Sequence, residues 1–190
     1  MRSWLETRPT ILPQISILRQ KYPDYTITLV GHSLGGAVAA LAGLEMRLKG
    51  WDVTVTTFGE PMIGNGALAA FIDEQFGLGD GISIPPLDPL DGGMRFRRVT
   101  HVGDPVPMLP LAEWGYRPHA GEVFIKREGL PPRREDVVHC LGAVDPGCIA
   151  GEGVEGVLVE LYRDLNVVGL AGSGGEGCRS SDGDGDGDGD

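Results

Sequence analysis

Gly31-His32-Ser33-Leu34-Gly35 is the segment whose residue types and spacing can do chemistry: a serine with glycine two residues to either side. The apolar, partly β-branched run Ile27, Leu29 and Val30 precedes it, and Ala37, Ala39, Ala40 and Ala42 follow. That order predicts a buried strand, a sharp turn at Ser33 and a closely packed helix, the arrangement of a serine nucleophile elbow. A serine hydroxyl is a weak nucleophile until it is lifted into a cleft beside a base. A turn made directly from strand to helix does the lifting, and it aims backbone N–H groups at the oxyanion of a tetrahedral intermediate. Gly31 and Gly35 are both expected to be required, because Cβ atoms there would collide.

Such a serine needs a carboxylate and an imidazole farther along, in the order Ser, Asp, His, on loops at the carboxyl end of the sheet. Asp104 fits the carboxylate: it follows an expected strand, Phe96 to Val102, in the loop Gly103-Asp104-Pro105-Val106-Pro107. The plain alternative is an aspartate that opens a proline turn.

The elements that position these residues alternate. Ile11, Leu12, Ile15 and Leu18 have helical spacing over 10–21, with Pro13 in the first turn. Val38, Leu41 and Leu48 supply bulk on the sheet side of the helix after Ser33, and Gly50 stops it. Val53, Val55 and Phe58 mark a strand; Asn65 caps a short helix over 67–76. Residues 77–94, rich in Gly and Pro, read as an irregular loop. Glu122 to Arg127 reads as a short edge strand. Strand–helix alternation of this kind predicts an α/β fold with a mostly parallel sheet.

The chain has 190 residues, a net charge of −11 and a pI near 4.7, which argue for one domain and against nucleic acid or an anionic membrane surface. No run approaches the ~20 apolar residues of a membrane span. The first ten residues lack the apolar core of a signal peptide, so the chain as written is expected in the cytoplasm. Residues 171–190, ending in an Asp-Gly repeat, cannot bury enough apolar surface to order themselves. The expected division is a domain over 1–170 and a disordered tail over 171–190. No metal site and no cofactor are expected, since neither the cysteine spacing nor the Asp-Gly run fits a ligand set.

Four blocks carry a family resemblance: Tyr25–Gly43; Thr57-Phe58-Gly59-Glu60-Pro61-Met62-Ile63-Gly64-Asn65; Arg98 to Pro110; and Trp114-Gly115-Tyr116-Arg117-Pro118-His119-Ala120-Gly121-Glu122. Together they resemble the class 3 lipases of filamentous fungi, a family that also holds feruloyl esterases. The resemblance covers roughly residues 10–165. It implies an α/β-hydrolase fold with helices on both faces of the sheet. It makes Ser33 the nucleophile, Asp104 the triad acid and the Leu34 backbone N–H an oxyanion donor. It implies hydrolysis of acylglycerols or other esters at a lipid–water interface, and secretion. In the family, early strands and a lid precede the helix on which this chain starts, so those parts are expected to be missing.

The family's histidine follows a cysteine pair, matched here by Cys140 and Cys148, in a His-Arg-Asp segment. This chain reads Tyr162-Arg163-Asp164 there, so Tyr162 occupies the expected base position. Tyrosine, with a pKa near ~10 and no second ring nitrogen, does not substitute simply. His139 is the fallback base: it follows Asp104 in the correct order, although it abuts Cys140 on what resembles a surface disulfide hairpin. His32 adjoins the nucleophile, His101 sits within a strand, and His119 is expected to pack or bond locally. Cys140 and Cys148 could close a small loop, and Cys178 is left over; three reduced thiols are the alternative. Two functional readings stay open: a carboxylic-ester hydrolase acting through an acyl-serine, and a non-catalytic remnant that retains an acyl-binding surface.

Overall fold

Val53, Val55 and Thr57 are fully buried while Thr54, Thr56 and Phe58 are not, and this alternation defines a sheet with one covered face. The computed structural model describes residues 2–78 and 94–152. Its elements run α1 (Arg2–Lys21), β1 (Ile27–His32), α2 (Leu34–Leu48), β2 (Val53–Phe58), α3 (Gly66–Phe76), β3 (Phe96–His101), β4 (Glu122–Ile125) and β5 (Val137–His139). The described strands form one sheet in sequence order, parallel from β1 to β4, with β5 antiparallel to β4.

Sequential parallel strands joined by right-handed crossovers place their connecting helices on the same side. Accordingly α2 and α3 cover one face, and α1 lies against α2. Their side chains meet Val53, Val55 and Phe96 in one apolar cluster with Trp4, Ala40, Ala42, Met46, Ile72 and Phe76. The expectation of helices on both faces is thus met on one face by the described helices. Across the other face run Val30, His32, Phe58, Val99 and His101, half-buried or exposed.

Small residues let α2 sit close to the sheet: a Cβ on Gly43 would lie 2.4 Å from Val55 Cγ2. Leu44 and Met46 fill the core, whereas Leu48, expected there, is 56% exposed. Leu48 shares the face of Leu41, which packs against the core, but it is the last residue of α2.

Helix α1 begins at Arg2, well before the expected start, and runs through Pro9 and Pro13. Both prolines are exposed, so the carbonyls they leave unpaired face water. Glu45 of α2 holds the first two turns by accepting from Trp4 Nε1 at 3.0 Å and Arg8 Nε at 2.7 Å. The predicted caps appear as expected: Asn65 Oδ1 accepts from Leu68 N at 3.1 Å, and Gly50 takes φ +73.

Strand β4 is not at the edge, because β5 pairs with it through Val123–His139, Phe124–Val138 and Ile125–Val137. Cys140 and Cys148 form a disulfide just beyond β5. Their sulfurs pack in a second cluster with Met108, Phe124 and Ile149. This loop is tied to the sheet through Glu122, which is wholly buried. Its Oε2 accepts from Arg98 Nη2 at 2.9 Å; its Oε1 accepts from Thr100 Oγ1 at 2.5 Å and from the Ile149 amide at 3.2 Å.

Candidate active site

Ser33 stands between the last residue of β1 and the first of α2, with φ 52 and ψ −127. Among the described residues it is the non-glycine with positive φ, a conformation that costs of order 1–3 kcal/mol and persists only where surroundings enforce it. The enforcement is visible. Ser33 N donates to Phe58 O of β2 at 2.9 Å, and Ser33 O accepts from Gly36 N at 2.8 Å and Ala37 N at 3.2 Å. Its side chain makes no capping hydrogen bond, so the hydroxyl is not spent on the helix.

Gly31 is required as expected: a Cβ there would come within 2.2 Å of Gly35 O and 2.7 Å of Gly36 N. Gly35 is not required in that way. A Cβ at Gly35 would meet nothing within 4 Å, because that side of the first turn of α2 faces open space. Gly36 is the closely packed one, with Thr57 and Glu60 side-chain atoms 3.4 Å from its Cβ position. Leu34 opens α2 with its side chain 63% exposed, and its N–H belongs to the first turn, where amides have no partner inside the helix.

Asp104 follows β3, which puts it at the carboxyl end of the sheet with Ser33. One strand, β2, intervenes, so their strands are two spacings apart, about 10 Å at the backbone. The carboxylate is held at one oxygen: Oδ1 accepts from Val106 N at 3.0 Å, and Asp104 N donates to His101 O at 3.1 Å. Oδ2 points at Gly59, the residue after β2; a Cβ there would lie 2.8 Å from Oδ2 and 3.9 Å from His32 Nε2. Gly59 has φ +55 and donates its N–H to Val99 O at 2.9 Å.

The histidines divide by register. His32, Phe58, Val99, Val123 and His139 lie in one row across the sheet. His139 is therefore four spacings from His32, about 19 Å. The structure does not bring the fallback base to Ser33. Sequence order alone could not reveal this, because β5 is three residues long and invisible before its pairing is known. Burial, and then the charge of Arg97, hold the His139 imidazole below its usual pKa. His119 is buried, as expected for a local role: Nδ1 donates to Ala120 O at 2.8 Å, and Nε2 lies 3.2 Å from Glu60 Oε1. His101 Nδ1 donates to Val102 O at 2.7 Å. Tyr162 and the tail over 171–190 lie outside the described residues.

The family profile described as Lipase (class 3) matches residues 1–114. The chain belongs to the class 3 lipase family. It is 54% identical over 153 residues to "Secreted mono- and diacylglycerol lipase 2" of Gibberella zeae, an alignment covering 80% of this chain and 36% of that protein. It is 53% identical over 152 residues to "Lipase A" of Sodiomyces alcalophilus, covering 79% of this chain and 35% of that protein. Among solved structures, the Lip2 lipase of Yarrowia lipolytica superposes with a TM-score of 0.69 at 35% identity, over 82% of this chain and 51% of that one. The chain thus spans about a third of the length of the curated relatives and half of the solved one. The five-stranded, mostly parallel sheet is that of the α/β-hydrolase fold of fungal lipases, and the family is one of serine ester hydrolases.

What sequence reasoning missed in this member of the class 3 lipase family is Gly59. It sits in the quoted Phe58-Gly59-Glu60-Pro61 block, but only the folded chain shows that the space beside it belongs to Asp104. Among the described residues, no group of three His, Cys, Asp or Glu side chains could hold a metal ion. No described helix is long and apolar enough to cross a membrane.

Proposed function

We propose that this chain carries the nucleophile and the acid of a carboxylic-ester hydrolase acting on acylglycerols through an acyl-serine intermediate. The observation that carries the reading is the left-handed backbone of Ser33 at a strand-to-helix turn, at the same end of the sheet as Asp104. Ser33 Oγ would attack the ester carbonyl carbon and pass its proton to a base. The carbonyl oxygen, now negative, would be met by the Leu34 N–H at the start of α2. The carbon–oxygen bond breaks, the alcohol leaves with that proton, and water hydrolyses the acyl-Ser33. Asp104 Oδ2, the carboxylate oxygen not held by Val106, is the atom suited to orient an imidazole.

A specific observation also favours the second reading, an acyl-binding surface with little turnover. His119 is committed to Ala120 and Glu60, His101 Nδ1 to Val102, and His139 stands on β5; among the described residues no hydrogen bond joins an imidazole, that of His32 included, to Ser33 or Asp104, and the resemblance expects the base where Tyr162 stands. An elbow and an acid without a positioned imidazole leave the serine proton without an acceptor, and members of such a unit act together or hardly at all.

The relatives whose names describe secreted lipases, together with the Cys140–Cys148 bond, support secretion of this protein. The names of the same relatives, mono- and diacylglycerol lipases, support an ester substrate, and we propose that it is met at a lipid–water interface. The test is turnover of p-nitrophenyl esters alongside covalent labelling by an organophosphonate, each with a Ser33→Ala control. Labelling confined to Ser33 with slow turnover is the expected result. Absence of labelling under conditions that label an active serine esterase would overturn the hydrolase reading in favour of the acyl-binding one. Ordinary turnover abolished by His139→Ala would overturn the placement of that residue outside the site.

A further inference from the structure

We propose that the outer edge of β1 pairs with the same edge of a second copy of this chain, antiparallel and centred on Val30, so that one sheet runs through a two-fold dimer. Strand β1 ends the sheet, with β2 as its one neighbour among the described strands. Ser33 N donates to Phe58 O at 2.9 Å, which fixes the phase of the ladder. Successive residues of a strand turn their backbone groups to opposite sides, so Ile27, Leu29 and Gly31 serve β2. Thr28, Val30 and His32 therefore direct three N–H and three C=O groups outward, where no described residue meets them.

These six groups complement themselves. A two-fold axis perpendicular to the sheet runs the second strand antiparallel and keeps each face of the sheet continuous. Opposed residues must then share a face, which excludes every second register. Centred on Val30, the pairing sets Val30 against Val30 and Thr28 against His32 in both directions. Each such pair exchanges two bonds, so all six groups are satisfied. Centred on Leu29, it would leave His32 opposite Thr26, which lies outside the strand.

Natural edge strands are blunted by charges, prolines, bulges or shortness. The far edge of this sheet is short: β5 has three residues and leads into the Cys140–Cys148 loop. Strand β1 has six, and neither a charged residue nor a proline occurs from Tyr25 to Leu44. Helix α1 lies on the β1 side of α2, because α3 packs on the other. Val30 is 65% exposed, Tyr25 75%, and Ile11 and Leu18 of α1 42% and 53%. With Tyr22, Thr28 and His32, these side chains expose on the order of 800 Å² per copy, the area that each partner of a stable pair buries.

The inference is independent of the chemistry at Ser33, and Ser33→Ala should associate like the parent. Sedimentation equilibrium of the 190-residue chain across the micromolar range is expected to give twice the 20.2 kDa of one copy. Val30→Lys sets two ammonium groups directly opposite one another, and Val30→Pro removes an outward N–H without touching the β2 ladder. Each should weaken association at least tenfold while circular dichroism shows a folded chain. In a Cys178→Ser background, Val30→Cys should cross-link on mild oxidation, since opposed residues of a bonded pair lie ~5.5 Å apart at Cα, within disulfide reach. Thr54→Cys, on the same face but one strand inward, should not. A chain that stays monomeric throughout overturns the proposal. So does a dimer that folded Val30→Lys and Val30→Pro form with parental affinity, or one that cross-links through Thr54→Cys and not through Val30→Cys.

Discussion

Asp104 Oδ2 occupies the space that a side chain on Gly59 would fill, 2.8 Å from the position of its absent Cβ. With φ +55, Gly59 also holds a backbone conformation that an L side chain resists. Gly59→Ala is therefore expected to cost roughly 1–3 kcal/mol in backbone strain and to displace the carboxylate. Urea unfolding measures the first effect. Comparing Gly59→Ala with Asp104→Ala in the labelling rate at Ser33 measures the second. A Gly59→Ala chain with unchanged stability would contradict the geometry.

The two glycines that flank Ser33 should respond in opposite ways. Gly31→Ala drives a methyl into Gly35 O and Gly36 N, backbone atoms that cannot yield without opening the elbow. A loss of ~3 kcal/mol or more, or failure to fold, is expected. Gly35→Ala meets open space within the first turn of a helix, so stability should stay level or rise by up to about 1 kcal/mol. Equal losses at both positions would show that the turn has a different shape.

Stability should decline as pH falls below the ordinary histidine range. His139 is held below its usual pKa by burial and by Arg97, so above ~6.5 it is neutral folded and unfolded alike. Below that value the unfolded chain binds a proton that the folded chain resists, and the balance moves toward unfolding. Urea midpoints between pH 5 and 8 should show this slope, and His139→Gln should flatten it. Glu45 acts in a separate, more acidic window. Its carboxyl lies below the usual range, first through its hydrogen bond with Arg8, and its contribution is lost as pH falls through that lowered value. A His139→Gln chain with the parent slope would sink the assignment.

The Arg98–Glu122 pair ties the disulfide loop to the sheet from inside the molecule. Arg98→Met leaves the Glu122 carboxylate buried without its counter-charge, and a loss of roughly 3–5 kcal/mol is expected. Adding Glu122→Gln should recover part of it, since the amide still meets Thr100 and carries no charge. Thermal unfolding of the single and double variants decides the matter. A double variant less stable than Arg98→Met alone would show that the charge on Glu122 is not the source of the loss.

The legible parts of this chain are those in which a few neighbouring residues fix the backbone. Gly31, Ser33 and the alanines after them define strand, turn and helix because sterics within a handful of residues leave few alternatives. Asn65 caps α3 for the same reason, through a bond to an amide three residues on. The position of Asp104 at the sheet's carboxyl end follows from strand order, once the parallel alternation of elements is recognised.

What lay beyond the sequence depended on groups distant along the chain. Strand β5 exists because Val123, Phe124 and Ile125 pair with it, and three residues carry no periodicity of their own. Prolines 9 and 13 sit within α1 because Glu45 of another helix holds its start and solvent receives the freed carbonyls. His139 and Ser33 follow the order a hydrolase requires, yet the register of five strands sets them far apart. The sequence determined the elbow, its small-residue helix and the alternating fold, because local sterics and periodicity act over short spans of chain. Only the tertiary structure decided that His139 stands away from the elbow, and that Oδ2 of Asp104 lies against Gly59, because distances across a sheet are set by pairing and packing.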